Sequence, residues 1–242
     1  MEILLIAGHG DRDCGAVGCG YKEADLTREF VKILKPKLQD YAEVDVFDTN
    51  KNMYKYLKAG NTFNFKNYDY VFETHFNSTT ADLPENNITT GTEILVHSNE
   101  KGWSVEEGIL KSIAQLGFKN RGVKPTSNLL VMNTCKGKQG VSHALLEVCF
   151  IKDADDMKLY QKKKNEIADA VVKGIADGFG LKVKETGFAD IKGHYAETYI
   201  NDLYKMGIVK GDGTGKFKPD ATLTRGDASI MIRNAIKYIT GK

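Results

Sequence analysis

Glu147 lies in the run ALLEVCFI, Ala144 to Ile151, which without it would read as an ordinary strand buried on both faces. An isolated ionised carboxylate in such a run costs several kcal/mol unless something compensates it. A cation or a function must therefore sit beside Glu147. Three more residues stand where strands end or helices begin, the places from which open α/β sheets present reactive groups. His9 closes the first apolar run in AGHGD, Glu23 opens the first helical pattern in GYKEADL, and His75 ends the run YDYVFETH. Gly8 and Gly10 free the backbone around His9 for a sharp turn. Two imidazoles and one carboxylate drawn from separate elements match the ligand set of catalytic zinc, which leaves a fourth position for water.

Taken singly, each residue has a plainer reading. A histidine at a strand end is most often hydrogen-bonded and structural, and an acid at a helix start complements the helix dipole. Only the conjunction of the four favours a metal. Glu73 shares a strand face with His75, either as a structural partner or as a support for the ligand. His97 and His143 are read as structural. Cys14 and Cys19, in DCGAVGC, could ligate zinc or pair with each other, but their spacing and the lack of a second pair fit free loop thiols better; Cys135 and Cys149 read as reduced core thiols. No G-x-S-x-G elbow is present, and Ser142 beside His143 is adjacency in sequence, not triad geometry. No glycine-rich phosphate loop follows a strand.

These residues need a scaffold of alternating strands and helices. Strands are expected over Glu2 to Ala7, Val44 to Phe47, Tyr68 to Thr74, Thr92 to His97, Leu129 to Met132 and the segment around Glu147. Helical periodicity spans Glu23 to Gln39, with Pro36 predicting a kink or early end, and also Ser104 to Leu116 and Asp155 to Phe179. The fold class is α/β, a mixed sheet covered by helices. After Gly180 the composition turns polar and glycine-rich, so the expected divisions are a catalytic domain over 1–181, a linker over 182–187 and a small helix-loop-helix domain over 188–242. The loop Gly211 to Gly215 lacks the alternating acids of a calcium loop and reads as turn glycine.

The 242 residues are 41% hydrophobic and 27% charged, with formal net charge +2. That composition suits a folded protein and announces neither a nucleic-acid surface nor a membrane span. The start, MEILLIAGHG, lacks the basic region of a signal peptide, so synthesis in the cytoplasm without such a signal is expected.

In order and spacing, AGHGDRDCGAVG, KEADL, THFNST, NRGVK and LLEVCF resemble the zinc-dependent N-acetylmuramoyl-L-alanine amidases of the amidase-3 type, over about residues 1 to 180. The resemblance implies zinc on His9, Glu23 and His75, Glu147 as the catalytic carboxylate, and hydrolysis of the amide between N-acetylmuramic acid and L-alanine in peptidoglycan. Arg121 is then a candidate contact to a carboxylate of the peptide stem. Asn133, where the family often has a basic residue, joins it as a substrate-side candidate, and Cys149 replaces a usual small residue. The tail from Gly187 to Ile232 resembles a surface-layer homology module, which binds secondary polymers of the cell wall. Thr224-Arg225-Gly226-Asp227 matches its polymer-gripping stretch, making Arg225 the main candidate contact, with Asp190 and Tyr195 beside it. Such modules usually come in threes; one copy implies self-association into a homo-oligomer or weak anchoring. The expectation is a phage endolysin-like enzyme acting on Gram-positive walls after release. The rivals are a zinc peptidase cutting the stem or cross-bridge, and an inert wall-binding protein.

Overall fold

The computed structural model describes residues 1–183 and 188–240. The chain divides into two compact units, Met1–Lys182 and Val183–Lys242. Positions 184–187 of the expected linker lie outside the described residues.

In chain order the first unit contains β1 (Glu2–Ala7), a short hairpin of β2 (Val17–Gly18) and β3 (Tyr21–Lys22), α1 (Glu23–Gln39), β4 (Glu43–Val46), α2 (Met53–Lys58), β5 (Tyr70–Asn77), β6 (Thr92–His97), α3 (Ser104–Ala114), β7 (Asn120–Thr126), α4 (Leu130–Met132), β8 (Ser142–Phe150) and α5 (Ala154–Phe179). The strands form a six-stranded sheet in the order β4-β1-β5-β8-β6-β7. β4, β1, β5 and β8 run parallel, β6 is antiparallel to β8, and β7 is parallel to β6. The sheet is mixed, as the sequence implies.

Side chains alternate across a strand, so the sheet has two distinct faces. Ile3, Leu5, Phe72, Ala144, Leu146 and Val148 pack into the main core with Phe30 and Leu34 of α1, Ile109 of α3 and Val171 of α5. α3 and α5 approach closely at Gly174, where a Cβ would lie 2.7 Å from the backbone nitrogen of Ile109. The opposite face carries Leu4, Ile6 and Val71 against Met53 of α2, Phe65, Val131 of α4 and Cys135. By the period of two, Glu73, His75, His143 and Glu147 belong to this second face, which short helices cover.

Besides the β2–β3 hairpin and α2, which the sequence reading does not include, the structure departs from it in three places. Leu129–Met132 is no strand: Leu130–Met132 is helical and continues into a π-helix, Asn133–Lys138. A short apolar run does not distinguish the two states, and here it closes the second face of the sheet. The strand Asn120–Thr126 escaped notice because Gly122 and Pro125 interrupt it and its residues are polar, as an edge strand permits. Pro36 lies within α1, which continues to Gln39.

In the second unit α6 (Glu197–Lys205) and α7 (Arg225–Thr240) accompany a small core of Phe188, Ile191 and Ile200. Asp190 clasps the intervening loop, accepting hydrogen bonds from the backbone nitrogens of Phe217 at 2.9 Å and Lys218 at 2.8 Å. Among the described residues no helix is long and apolar enough to cross a membrane.

Candidate metal centre

His9 follows β1, Glu23 is the first residue of α1, and His75 lies near the end of β5. The fold brings one ligand atom from each within 4.8 Å of the others. Glu23 is the hub. One carboxylate oxygen lies 2.9 Å from Nδ1 of His75 and the other 3.1 Å from Nε2 of His9. The backbone nitrogens of Phe76 and Ala16 donate to the same carboxylate, which fixes its orientation before any cation arrives. Burial opposes the charge on Glu23, yet the hydrogen bonds from His75 and His9 hold its carboxyl well below the usual range. Two imidazole nitrogens and a permanently ionised carboxylate, converging from three rigid elements, fit a divalent zinc ion by donor type and number.

The loop that carries His9 is built under strain. His9, Asp11 and Arg12 all have positive φ, at 63°, 50° and 64°, a conformation that non-glycine residues adopt only when their surroundings enforce it. Arg28, about a turn and a half along α1 from Glu23, supplies the enforcement. Its guanidinium donates to the carbonyls of Gly8 at 3.0 Å, His9 at 2.9 Å and Thr49 at 2.9 Å. Gly8 is needed because a Cβ there would stand 2.4 Å from the His75 ring. Asp13 accepts from Nδ1 of His9 at 3.0 Å and is itself held by Asn52 at 3.1 Å and the backbone of Gly15 at 3.0 Å. Sequence reasoning missed Arg28, Asp13 and Asn52. Asp13, four residues after His9, was the one with a visible signal.

Glu147 lies directly across the β5–β8 ladder from His75 and across the β6–β8 ladder from Glu93. These two glutamates occupy opposite electrostatic environments. Glu93 accepts from Asn77 at 2.9 Å, Arg121 at 2.6 Å and Lys124 at 2.5 Å; burial pushes its carboxyl up, but the two cations bring it below its ordinary value. Oε2 of Glu147 is buried with no hydrogen-bond partner, and burial pushes its carboxyl up to about 7 even though His75 pulls it down. Paired acids whose environments drive them apart in this way divide into a fixed charge and a proton carrier. A cavity of about 300 Å³, lined by His9, His75, Met53, Tyr54, Leu129 and Leu130, opens beside the cluster.

The remaining predicted residues are placed as follows. Arg121 is the second residue of β7, with its guanidinium on Glu93 and 4.8 Å above the Phe150 ring. Asn133 bonds His97 Nε2 at 2.8 Å, in the structural role expected for His97. His143 bonds Glu73. Cys14 is exposed, Cys19 partly so, and both are free. In the second unit Arg225 is exposed at the start of α7, and Tyr195 is 88% exposed. The Thr224 and Asp227 side chains hydrogen-bond each other, and Thr224 Oγ1 accepts from the Asp227 backbone nitrogen at 3.1 Å, capping α7. Asp190 has both carboxylate oxygens engaged within the module.

Comparison with known proteins gives this geometry a context. Residues 3–177 match the N-acetylmuramoyl-L-alanine amidase family, and residues 187–229 match the S-layer homology domain. The endolysin of Bacillus phage SPP1 is 29% identical over 256 residues, covering 98% of this chain and 91% of that protein. The amidase LytC of Bacillus subtilis is 27% identical over 177 residues, which are 73% of this chain but 34% of LytC. Among solved structures, the catalytic domain of CwlV, an N-acetylmuramoyl-L-alanine amidase from Bacillus (Paenibacillus) polymyxa, aligns over 75% of this chain and 99% of its own, with a TM-score of 0.60 at 20% identity. The catalytic domain of an endolysin targeting Clostridia difficile gives 0.58 at 23% identity, over 73% of this chain and 97% of that one.

Proposed function

The chain belongs to the N-acetylmuramoyl-L-alanine amidase family, and we propose that its hydrolysis of the amide between N-acetylmuramic acid and L-alanine runs on a zinc ion held by His9, Glu23 and His75. The observation that carries the reading is the pairing of this three-residue cluster with Glu147 on the neighbouring strand, whose Oε2 is buried without a hydrogen-bond partner. Zinc bound there supplies a Lewis acid that polarises the scissile carbonyl and acidifies water. Glu147, with its carboxyl near neutrality, takes the proton from the attacking water and returns it to the departing amine of L-alanine. Arg28 and Asp13 hold His9 in place, and the cavity flanked by Met53 and Leu129 takes substrate beside the cluster. Arg121, whose Nε donates to Glu93, is the proposed contact to a carboxylate of the stem, with Asn133 a second proposed substrate-side residue.

The S-layer homology module directs the enzyme to the polymers of the cell wall. Within it, Arg225 is the proposed polymer contact, since a guanidinium fork recognises carboxylates well, with exposed Tyr195 a second proposed contact. Asp190 holds the loop between α6 and α7. Ile232, Ile236 and Ile239 line one exposed stripe of α7, which supports self-association of the module and a multivalent grip on the wall. Near-full-length similarity to a phage endolysin supports a lytic role at Gram-positive walls. The test is the identity of new amino ends released from purified walls, with and without a zinc chelator. Free N-terminal L-alanine that vanishes on chelation and returns with zinc is expected; release that persists through chelation sinks the zinc reading, and other amino ends point to a peptidase.

A further inference from the structure

His75 uses both ring nitrogens. Nδ1 faces Glu23 at 2.9 Å, within the ligand cluster, and Nε2 faces Oε1 of Glu73 at 3.2 Å. Glu73 is buried on the same strand, two residues earlier and on the same face. Its other oxygen accepts from Nε2 of His143 at 3.0 Å. His143 belongs to β8, opposite Val71 in the β5–β8 ladder, and is 1% exposed. A row of four side chains, Glu23, His75, Glu73 and His143, thus runs from the strand ends into the interior.

A buried carboxylate needs donors on both oxygens to offset its lost hydration. Here the donors are one histidine of the ligand cluster and one that lies outside it. A neutral imidazole carries its proton on only one nitrogen, and the acceptor facing the ring decides which one. Both nitrogens of His75 face carboxylates, and when a cation takes Nδ1 in place of a proton, Glu73 accepting at Nε2 holds the remaining proton there. His9 is arranged in the opposite sense, with Nδ1 toward Asp13 and Nε2 toward Glu23. The two candidate ligands therefore present different nitrogens, each set by its own carboxylate.

We propose that Glu73, locked by His143, is a positioning residue that fixes the tautomer and ring orientation of His75 for metal binding. This rests on the zinc reading above. A structural ion pair alone would lower stability when broken and leave metal affinity as it was, whereas a positioning role links Glu73 to the metal directly.

The test uses the full chain, stripped of metal and titrated with zinc against a chromogenic chelator, and with cobalt(II) followed by its visible absorption. Wild-type protein binding one zinc per chain is the control, and its failure to bind refutes the zinc site itself. With wild type binding, Glu73→Gln is expected to lower zinc affinity about 10- to 100-fold and to alter the cobalt spectrum. A folded Glu73→Gln protein with wild-type affinity and spectrum overturns the proposal. Should that variant not fold, His143→Leu decides: it leaves the carboxylate on His75 but removes its second donor. A severalfold loss of zinc affinity then supports the proposal, and unchanged affinity overturns it.

Discussion

Replacing Glu147 by Gln should make the protein inactive and, without metal, more stable. Burial moves this carboxyl from 4.5 to about 7, which places about 3 kcal/mol against its ionised form in the fold. The folded carboxyl titrates above the unfolded one, so the native state holds an extra proton between about pH 4.5 and 7, and stability falls as pH rises through that window. Glutamine has nearly the same shape and no charge to desolvate. At pH 8 the metal-free variant should therefore melt roughly 6–12 °C above wild type for a chain of this size, while near pH 4 the two should nearly coincide. Activity should move the other way, because loss of a positioned general base and acid lowers turnover about 10²- to 10⁴-fold. The assays are thermal melts of both chelated proteins from pH 4 to 8 and release of N-terminal L-alanine from walls by the zinc-loaded forms. Equal melting temperatures across the pH range would refute the uncompensated carboxylate, and normal release would refute its role in proton transfer.

Three further outcomes follow from the same geometry. Glu23→Gln removes the charge that draws both histidines together and should reduce bound zinc to below a tenth of a mole per chain after dialysis against wild-type-saturating metal, on the order of a 100-fold loss of affinity; full occupancy by elemental analysis would contradict the ligand assignment. Asp153→Ala removes the cap of α5 and a hydrogen bond to the backbone of Thr90, so chemical denaturation should show a loss of about 2 kcal/mol or more, and an unchanged midpoint would count against that clasp. Arg225→Ala should weaken sedimentation of the protein with purified walls about tenfold, the equivalent of one charge-assisted hydrogen bond, with equal wall binding counting against Arg225 as a polymer contact.

The candidate ligands were legible because His9, Glu23 and His75 each mark the end or start of an element whose periodicity is plain in the sequence. Glu147 was legible for the opposite reason, as a charge inside an apolar run. The supports around them were not. Arg28 looks like any basic residue of an amphipathic helix until the β1–α1 loop offers it the carbonyls of Gly8 and His9 and the β4–α2 loop that of Thr49. Glu93 acquires its meaning only from strand register, and Glu73 from a histidine 70 residues away. The edge strand holding Arg121 hid behind Gly122 and Pro125, and the apolar segment at Leu129 took helical form because a lightly covered sheet face needed closing there.

The mixed direction of the sheet bears on the chemistry as well as the topology. In a wholly parallel sheet the strand beside β8 would present its last residues at the edge where His75 and Glu147 stand. Because β6 and β7 run the other way, residues near their starts, Glu93 and Arg121, arrive there instead. Two cations next to an unpaired Glu147 would favour its ionised form and weaken it as a proton acceptor near neutral pH. Glu93 takes both of them, Arg121 at 2.6 Å and Lys124 at 2.5 Å, and so leaves Glu147 governed by its own burial. The reversal of two strands thus brings two cations to this edge while keeping their charge from Glu147, the proposed proton carrier.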